Sequence, residues 1–159
     1  MSKATADLYD DYGDQLQVAT PMFRDFGAKL SFSGPVSTLK VYEDNTLVRS
    51  ALEEKGDGRV LVVDGGGSLR CALLGDMLAQ LGVDNGWAGI LVYGCIRDAA
   101  VIATMEIGVK ALNSNPRKSV KKGFGERDIV VDFANVKFVP GAYLYADADG
   151  VLLANEKLV

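Results

Sequence analysis

The sequence contains no histidine among its 159 residues. Histidine is the usual general base near neutral pH and the commonest metal ligand among side chains. A Ser-His-Asp or Cys-His catalytic site is therefore excluded within this chain. Carboxylates, lysine, tyrosine, cysteine, metal-bound water and backbone amides remain as catalytic groups. This set favours an oxygen-ligated hard cation, Mg²⁺ or Mn²⁺, over a metal bound by histidine.

Cysteine is scarce, and long apolar runs are missing. The two cysteines, Cys71 and Cys95, match neither a zinc-binding spacing nor a dense disulfide framework, and their apolar neighbours favour buried free thiols. No stretch approaches the roughly 20 apolar residues of a membrane-spanning helix, and residues 1–5 lack the apolar core of a signal peptide. We therefore expect a cytoplasmic protein with no membrane partner.

The chain also has fewer basic residues than acidic ones, with 17 lysines and arginines against 21 aspartates and glutamates. The formal net charge of −4 argues against direct nucleic-acid binding, because that binding relies on neutralisation of phosphates by lysine and arginine. The length suits one compact domain, and the chain shows neither an internal repeat nor a linker. We predict a single domain over residues 1–159.

The first third of the chain has helical and extended patterns. Gly34-Pro35 is expected to interrupt a strand as a bulge or edge device, Asn45 to cap a helix and Gly56 to close it. The predicted elements are a helix at 4–12, an extended segment at 28–42 and a helix at 46–55.

The middle of the chain predicts a strand, helix, strand unit. Val60–Val63 is an uninterrupted apolar run, typical of a strand covered on both faces, and it leads through Asp64 into glycines 65–67. A helix begins near Gly75, and a second buried strand covers Gly89–Tyr93. Such a unit normally contains two parallel strands, and ligands bind beyond their carboxyl ends.

The last third is rich in strand patterns separated by turns. Together with the helices, these strands predict a mixed α/β sandwich. The predicted strands are 129–131, 136–139, 143–145 and 151–153, with turns at 133–135, 140–141 and 149–150.

An anion-binding site is expected at the ligand-binding end of the central unit. A helix that starts near Gly75 leaves the amides of Asp76, Met77 and Leu78 unpaired at the positive end of the helix dipole. Arg97 follows the second strand, and twenty residues separate it from Asp76. Its planar guanidinium suits a carboxylate and can grip the same anion.

Asp98, next to Arg97, is the candidate metal ligand. It can hold a Mg²⁺-like ion that keeps most of its waters, and the ion would stabilise the enolate formed when a carbon–carbon bond of a 2-oxo acid breaks. Asp76 would orient a water that carries the proton. The spacing alone leaves a second interpretation open, in which Asp76 is only a helix cap and the Arg-Asp pair is structural.

These residues stand within longer segments that resemble the regulator of ribonuclease activity A family, to which the 4-hydroxy-4-methyl-2-oxoglutarate aldolases are related. The resemblance covers the whole chain. The segments that carry it are Phe26-Gly27, Glu43-Asp44-Asn45, residues 58–68, Tyr93-Gly94 with Ile96-Arg97, Ile107-Gly108 and residues 144–147.

The resemblance implies a β/β/α sandwich similar to swivelling phosphohistidine domains, assembled as a homotrimer. It implies a class II, metal-dependent pyruvate aldolase that cleaves 4-hydroxy-4-methyl-2-oxoglutarate into two pyruvates through a metal-stabilised enolate, with oxaloacetate decarboxylase activity. Position by position, the substrate-binding turn is Gly75–Leu78, the carboxylate-binding arginine is Arg97, the metal ligand is Asp98 and the water-orienting acid is Asp76.

The chain differs from some related aldolases at two places, and the resemblance leaves a second function open. Some related aldolases carry a further acid where this chain has Val101, and longer members have an extension beyond the position of Val159. We therefore expect decarboxylation, which asks less of the site, to be the more robust activity. The alternative is a protein-binding regulator that inhibits an endoribonuclease, although the family's namesake lacks the metal-binding Asp that Asp98 matches.

Three other motifs are assigned no chemistry. The basic run Arg117–Lys122 is interpreted as a solvated loop, with an acidic protein or RNA as the alternative contact. Residues 147–150 imitate the start of a calcium loop but lack its later ligands, which favours a hairpin turn. Glycines 65–67 lack the Lys of a P-loop and are expected to approach a ligand or a neighbouring subunit.

Overall fold

The computed structural model describes residues 1–159. Four helices and twelve strands form a mixed α/β domain, as predicted, and none of the helices combines the length and apolar character needed to cross a bilayer. The helices are α1 (Thr5–Tyr12), α2 (Thr46–Glu53), α3 (Asp76–Asp84) and α4 (Ala99–Ile102), with a 3₁₀ turn at Gly13–Gln15. The strands are β1 (Leu16–Val18), β2 (Arg24–Asp25), β3 (Phe32–Lys40), β4 (Val60–Asp64), β5 (Ala72–Leu74), β6 (Gly89–Ile96), β7 (Gly108–Ser114), β8 (Glu126–Arg127), β9 (Val131–Phe133), β10 (Val136–Phe138), β11 (Tyr143–Asp147) and β12 (Gly150–Ala154).

The main sheet is parallel at its centre and antiparallel at its margins. Its strand order is β1-β12-β11-β3-β4-β6-β7-β2, while β5 pairs with β6, β8 pairs with β3, and β9 and β10 form a separate hairpin. Strands β4 and β6 are parallel, which confirms the predicted strand, helix, strand unit. The carboxyl ends of β5 and β6 therefore meet at one edge, where α3 begins.

Strand β4 is covered on both faces, as its uninterrupted apolar sequence predicts. Leu61 and Val63 belong to the cluster that includes residues of α2 and α3, whereas Val60 and Val62 belong to the cluster that includes residues of β9 to β12. The side chains alternate because successive residues of a strand point to opposite faces. The parallel centre of the sheet therefore lies between the helices and a β layer that consists of the β9–β10 hairpin and the antiparallel strands β11 and β12.

No bulge interrupts β3, which runs unbroken through Gly34-Pro35, but the alternative prediction of an edge position is confirmed, because Pro35 precedes the pairing with β4. Pro35 pairs with Tyr143 on one side, and the parallel pairing with β4 begins only at Val36. Gly34 is needed for a different reason. A Cβ atom there would lie 2.1 Å from the carbonyl oxygen of Gly58, which crosses close above the strand.

Asn45 occupies the N-cap position of α2, as predicted, but the side chain that caps the helix is that of the preceding Asp44. One carboxylate oxygen of Asp44 accepts hydrogen bonds from the Thr46 amide at 3.0 Å and from the Thr46 hydroxyl at 2.8 Å, whereas Asn45 makes no capping bond. The helix also ends at Glu53, before Lys55 and Gly56. The second carboxylate oxygen of Asp44 accepts hydrogen bonds from the Lys122 and Phe124 amides, which hold the side chain in its capping position. Local sequence does not reveal this contact.

Two strand predictions also need correction. Residues 129–130 precede β9 instead of belonging to it. Strand β5 was not predicted, yet it pairs with the carboxyl-terminal part of β6 through Ala72 with Cys95 and Leu74 with Ile96. Three residues are too few for a clear alternating pattern. This short strand places Gly75 beside the end of β6.

Candidate active site

The start of α3 and the residues after β6 form one constellation. The Arg97 amide donates to the Leu74 carbonyl at 2.9 Å, and the Asp76 amide donates to Asp98 Oδ2 at 3.0 Å. Gly75 permits this approach, because a Cβ atom there would lie 2.9 Å from Asp98 Oδ2 and 3.4 Å from Arg97 Nε. The structure thus brings together the predicted turn, guanidinium and carboxylate.

Asp98 adopts a left-handed backbone conformation, with φ 57° and ψ 40°. Aspartate tolerates this region better than most side chains. Its carbonyl oxygen accepts the Val101 and Ile102 amides of α4, at 3.1 and 2.9 Å. Its carboxylate turns away from α4, makes no cap there and points to the first turn of α3.

The pKa of Asp98 is held below its ordinary value. The largest cause is the hydrogen bond from the Asp76 amide, and partial burial opposes it by favouring the neutral acid. The neighbouring Asp76 side chain and the positive charge of Arg97 lower the pKa further. Asp98 is therefore an ionised carboxylate at neutral pH.

The first turn of α3 offers fewer free amides than predicted. The Asp76 amide binds Asp98, and the Met77 amide donates to Asp76 Oδ1 at 2.8 Å. Only the Leu78 amide remains without a hydrogen-bond partner. The Met77 side chain is 70% exposed, whereas that of Leu78 packs in the core, so Leu78 contributes to the site through its backbone.

These residues line a cavity of about 220 Å³. All six predicted site residues, Gly75 to Leu78 with Arg97 and Asp98, contribute to its wall. Sequence analysis missed the rest of the polar lining, which is Asn45, Thr46, Arg49, Lys118, Ser119 and Lys121.

The basic run is a loop with exposed charged side chains, as predicted, and three of its residues, Lys118, Ser119 and Lys121, also form one wall of this cavity. The Ala72 amide donates to the Arg117 carbonyl at 2.8 Å, and the Val120 amide donates to the Glu43 carbonyl at 3.0 Å. Between these attachments Ser119 is buried. The sequence signal was the concentration of cations in an acidic chain, but nothing local indicated what they face.

The cavity combines excess positive charge with two carboxylates. Arg97, Lys118 and Lys121 take part in no ion pair, and Arg49 approaches Glu53 only at 3.8 Å. Asp76 and Asp98 supply the negative charge. The arrangement suits an anionic ligand that lies between cationic side chains and a carboxylate pair.

The donor set fits a hard divalent cation that keeps several waters. The chain has no cluster of three or more His, Cys, Asp or Glu side chains that would enclose a metal. Asp98 is an exposed, ionised carboxylate that the Asp76 amide holds in place. Mg²⁺ is commonly bound by one or two carboxylates together with substrate oxygens and water.

The triglycine segment lies apart from the cavity. The amides of Gly65 and Gly67 both donate to the Tyr93 carbonyl at 3.1 Å. A Cβ atom on Gly66, where φ is 68°, would lie 2.8 Å from the Tyr42 ring. The close approach that these glycines allow is therefore to neighbouring tyrosines of the same chain, and it does not form the ligand site.

Comparison with known proteins gives full-length similarity. A family model described as RraA-like, Aldolase/RraA, matches residues 5–153. A protein of Alkalilimnicola ehrlichii named "putative 4-hydroxy-4-methyl-2-oxoglutarate aldolase" is 62% identical, and the match covers 100% of this chain and 99% of that protein. A protein of Aromatoleum aromaticum with the same name is 57% identical, with both chains fully covered.

Two solved structures share the fold over nearly the whole chain. One is described as S-adenosylmethionine:2-dimethylmenaquinone methyltransferase from Geobacillus kaustophilus, with 54% identity, a TM-score of 0.97 and coverage of 98% and 97%. The other is the RNA-processing inhibitor RraA from Thermus thermophilis, with 46% identity, a TM-score of 0.96 and coverage of 100% and 96%. The names assign different activities to one fold, so fold alone does not choose among them. This chain belongs to the Aldolase/RraA family.

Proposed function

We propose that the protein is a divalent-metal-dependent lyase that cleaves 4-hydroxy-4-methyl-2-oxoglutarate to two pyruvates and also decarboxylates oxaloacetate. The observation that carries the proposal is the cavity in which the unpaired guanidinium of Arg97 lies beside the carboxylates of Asp76 and Asp98. The name shared by relatives at 62% and 57% identity supports the aldolase activity.

Arg97 binds the carboxylate adjacent to the 2-oxo group. Its two parallel N–H donors match the two carboxylate oxygens, and no acidic side chain competes for them by an ion pair. The Leu78 amide, at the start of α3, supplies a further donor. Binding of the carboxylate by Arg97 and the Leu78 amide orients the adjacent 2-oxo group toward Asp98.

Asp98 holds the divalent cation, Mg²⁺ or Mn²⁺. When bound, the cation supplies positive charge where negative charge develops on the 2-oxo group. Asp76 is fixed by its own contact with the Met77 amide, and it orients a water that accepts the 4-hydroxyl proton as the C3–C4 bond breaks. The same water returns a proton to C3. Decarboxylation needs only the second of these proton transfers.

Pyruvate release tests the proposal directly. With Mg²⁺ present, the protein is expected to release pyruvate from 4-hydroxy-4-methyl-2-oxoglutarate and from oxaloacetate, and excess chelator is expected to stop both reactions. No release above the rate with Mg²⁺ alone, for either compound, would contradict the lyase proposal.

Replacing Arg97 with lysine is expected to raise KM at least about tenfold, with a smaller effect on kcat. Lysine keeps the charge but loses the bidentate fork, which removes a charge-assisted hydrogen bond. Steady-state kinetics measures both constants. Arg24→Lys is the control, because Arg24 lies outside the cavity and bonds Asn113. An unchanged KM with a lower kcat would show that Arg97 does not bind the substrate carboxylate.

A second candidate function is protein-mediated inhibition of an endoribonuclease. The likeness to the RNA-processing inhibitor, with 46% identity and a TM-score of 0.96, favours it. Because protein recognition would use an outer surface, we expect inhibition of RNA cleavage to survive both Arg97→Lys and Asp98→Asn. A gel assay of RNA cleavage with purified endoribonuclease measures this, and loss of inhibition in both variants would tie the two functions to one cavity.

We also propose that the protein assembles as a homotrimer. An apolar groove outside the active cavity, to which Tyr9, Val18 and Met22 contribute exposed side chains, supports an interface between copies. Light scattering is expected to give three times the chain mass of 17.0 kDa. A monomeric mass would reject this assembly.

A further inference from the structure

Asn115 lies at the junction of three of the segments that surround the cavity. It follows β7, it is partly buried, and it does not itself line the cavity. Its backbone amide donates to the carbonyl of Ile96, the residue before Arg97, at 2.9 Å. This hydrogen bond holds the end of β6, from which Arg97 and Asp98 enter the site.

The side chain of Asn115 holds the two other segments. Its Nδ2 donates to the Leu69 carbonyl at 2.7 Å, and its Oδ1 accepts the Arg117 amide at 2.9 Å. Leu69 lies in the segment that leads into β5, and Arg117 begins the basic run. Because the two contacts need a donor and an acceptor on one short side chain, neither an aspartate nor an aliphatic residue can make both.

Strand β5 connects these contacts to the ligand-binding turn 75–78. Its first residue donates its amide to the Arg117 carbonyl at 2.8 Å, and its last residue accepts the Arg97 amide at 2.9 Å. The turn follows β5 directly, so the position of β5 sets where the Leu78 amide lies relative to the Arg97 guanidinium. Because β5 contains only three residues, a shift of the preceding segment at Leu69 is expected to move the turn as well.

We propose that Asn115 is a positioning residue for the substrate carboxylate, which sets the distance between the Arg97 guanidinium and the Leu78 amide. It does so by holding the segment before β5 and the basic run against the end of β6. This inference rests on the proposed lyase function. Asn115 touches no substrate and acts on substrate binding through Arg97 and the turn that contains Leu78. The Asp98 carboxylate keeps its negative charge without Asn115, so metal binding does not require it.

Binding of pyruvate tests this role without turnover, because pyruvate carries one carboxylate next to its 2-oxo group. In calorimetric titrations with Mg²⁺, Asn115→Ala is expected to bind pyruvate at least about fivefold more weakly than the wild type, the equivalent of about one neutral hydrogen bond. Asn115→Asp keeps the acceptor for the Arg117 amide but loses the donor to the Leu69 carbonyl. It is therefore expected to bind pyruvate as weakly as Asn115→Ala.

Metal binding separates positioning from a general loss of structure. Titration with Mn²⁺, followed by electron paramagnetic resonance, is expected to give the wild-type affinity in both variants, because Asp98 retains its charge. Asn113→Ala is the matched control, since Asn113 is exposed on β7, bonds Arg24 and the Ser114 amide, and does not line the cavity. This control is expected to keep the wild-type affinity for pyruvate.

Unchanged pyruvate affinity in Asn115→Ala would overturn the positioning role, and so would parallel losses of pyruvate and Mn²⁺ affinity, which a general loss of structure produces. Wild-type affinity in Asn115→Asp would also overturn it, because the bond to Leu69 would then be dispensable. A wild type that binds no pyruvate would overturn both this role and carboxylate binding by Arg97. Weaker pyruvate binding in both variants, without pyruvate release from 4-hydroxy-4-methyl-2-oxoglutarate or oxaloacetate by the wild type, would support the positioning role and contradict the lyase.

Discussion

Replacing Asp98 with asparagine is expected to lower metal-dependent pyruvate release by roughly 10³-fold or more, because the proposed cation would lose its anionic ligand. Asparagine tolerates the left-handed backbone of this position and can still accept the Asp76 amide through its carbonyl oxygen. The fold is therefore expected to persist, so that the loss of pyruvate release reflects the missing negative charge of Asp98. Steady-state rates at saturating Mg²⁺ measure it.

Metal binding gives a second readout of the same substitution. Titration with Mn²⁺, followed by electron paramagnetic resonance, is expected to show binding weakened at least about tenfold in Asp98→Asn, because a hard cation prefers an anionic oxygen. Asp132→Asn is the control, since Asp132 is an exposed carboxylate on β9, 3.9 Å from Lys137. Full activity in Asp98→Asn would contradict the proposal that Asp98 is the metal ligand.

Replacing Asp44 with alanine is expected to lower the free energy of unfolding by about 3–4 kcal/mol. The residue is 2% exposed, and its carboxylate accepts bonds from the Thr46 amide and hydroxyl and from the Lys122 and Phe124 amides. Alanine leaves these donors without a partner and removes the contact that holds the basic run 117–122 against α2. Urea denaturation measures the loss, and Asp132→Ala is expected to change stability by less than about 0.5 kcal/mol.

The contribution of Asp44 is also expected to depend on pH. Burial by itself raises the pKa of a carboxyl, but the hydrogen bonds from Thr46, Phe124 and Lys122 outweigh it and hold the pKa of Asp44 below its ordinary value. A depressed folded-state pKa stabilises the protein above the unfolded-state pKa of about 3.9, and this stabilisation is lost as pH falls through the folded value. The difference between wild type and Asp44→Asn should therefore shrink in acid. A constant difference would contradict the ionised state.

Much of the candidate site was predictable because its main residues lie at ends of regular elements. The apolar runs of β4 and β6 predicted buried parallel strands, and parallel strands place their carboxyl ends at one edge. The spacing from Asp76 to Arg97-Asp98 followed from that topology. The helix start near Gly75 was equally accessible, since a glycine before an acidic residue marks a first turn.

The occupied amides of α3 were beyond local prediction. Sequence analysis expected three free amides at Asp76, Met77 and Leu78, yet two carboxylates of the site itself bind the first two. The contact from Asp76 to Asp98 depends on the left-handed backbone at Asp98, which sequence periodicity does not report. The site consequently offers an anion fewer backbone N–H donors than expected, and anion binding depends more on Arg97.

The sequence by itself determined the α/β class, the central parallel unit and the grouping of Asp76, Arg97 and Asp98, since each depends on periodicity and on strand direction. Only the tertiary structure decided that Asp44 caps α2 and that Lys118, Ser119 and Lys121 line the cavity. The position of the basic run 117–122 depends on hydrogen bonds between segments more than 70 residues apart, which the Lys122 and Phe124 amides donate to Asp44. Such contacts follow from chain packing, and a local pattern of apolar and charged residues does not encode them.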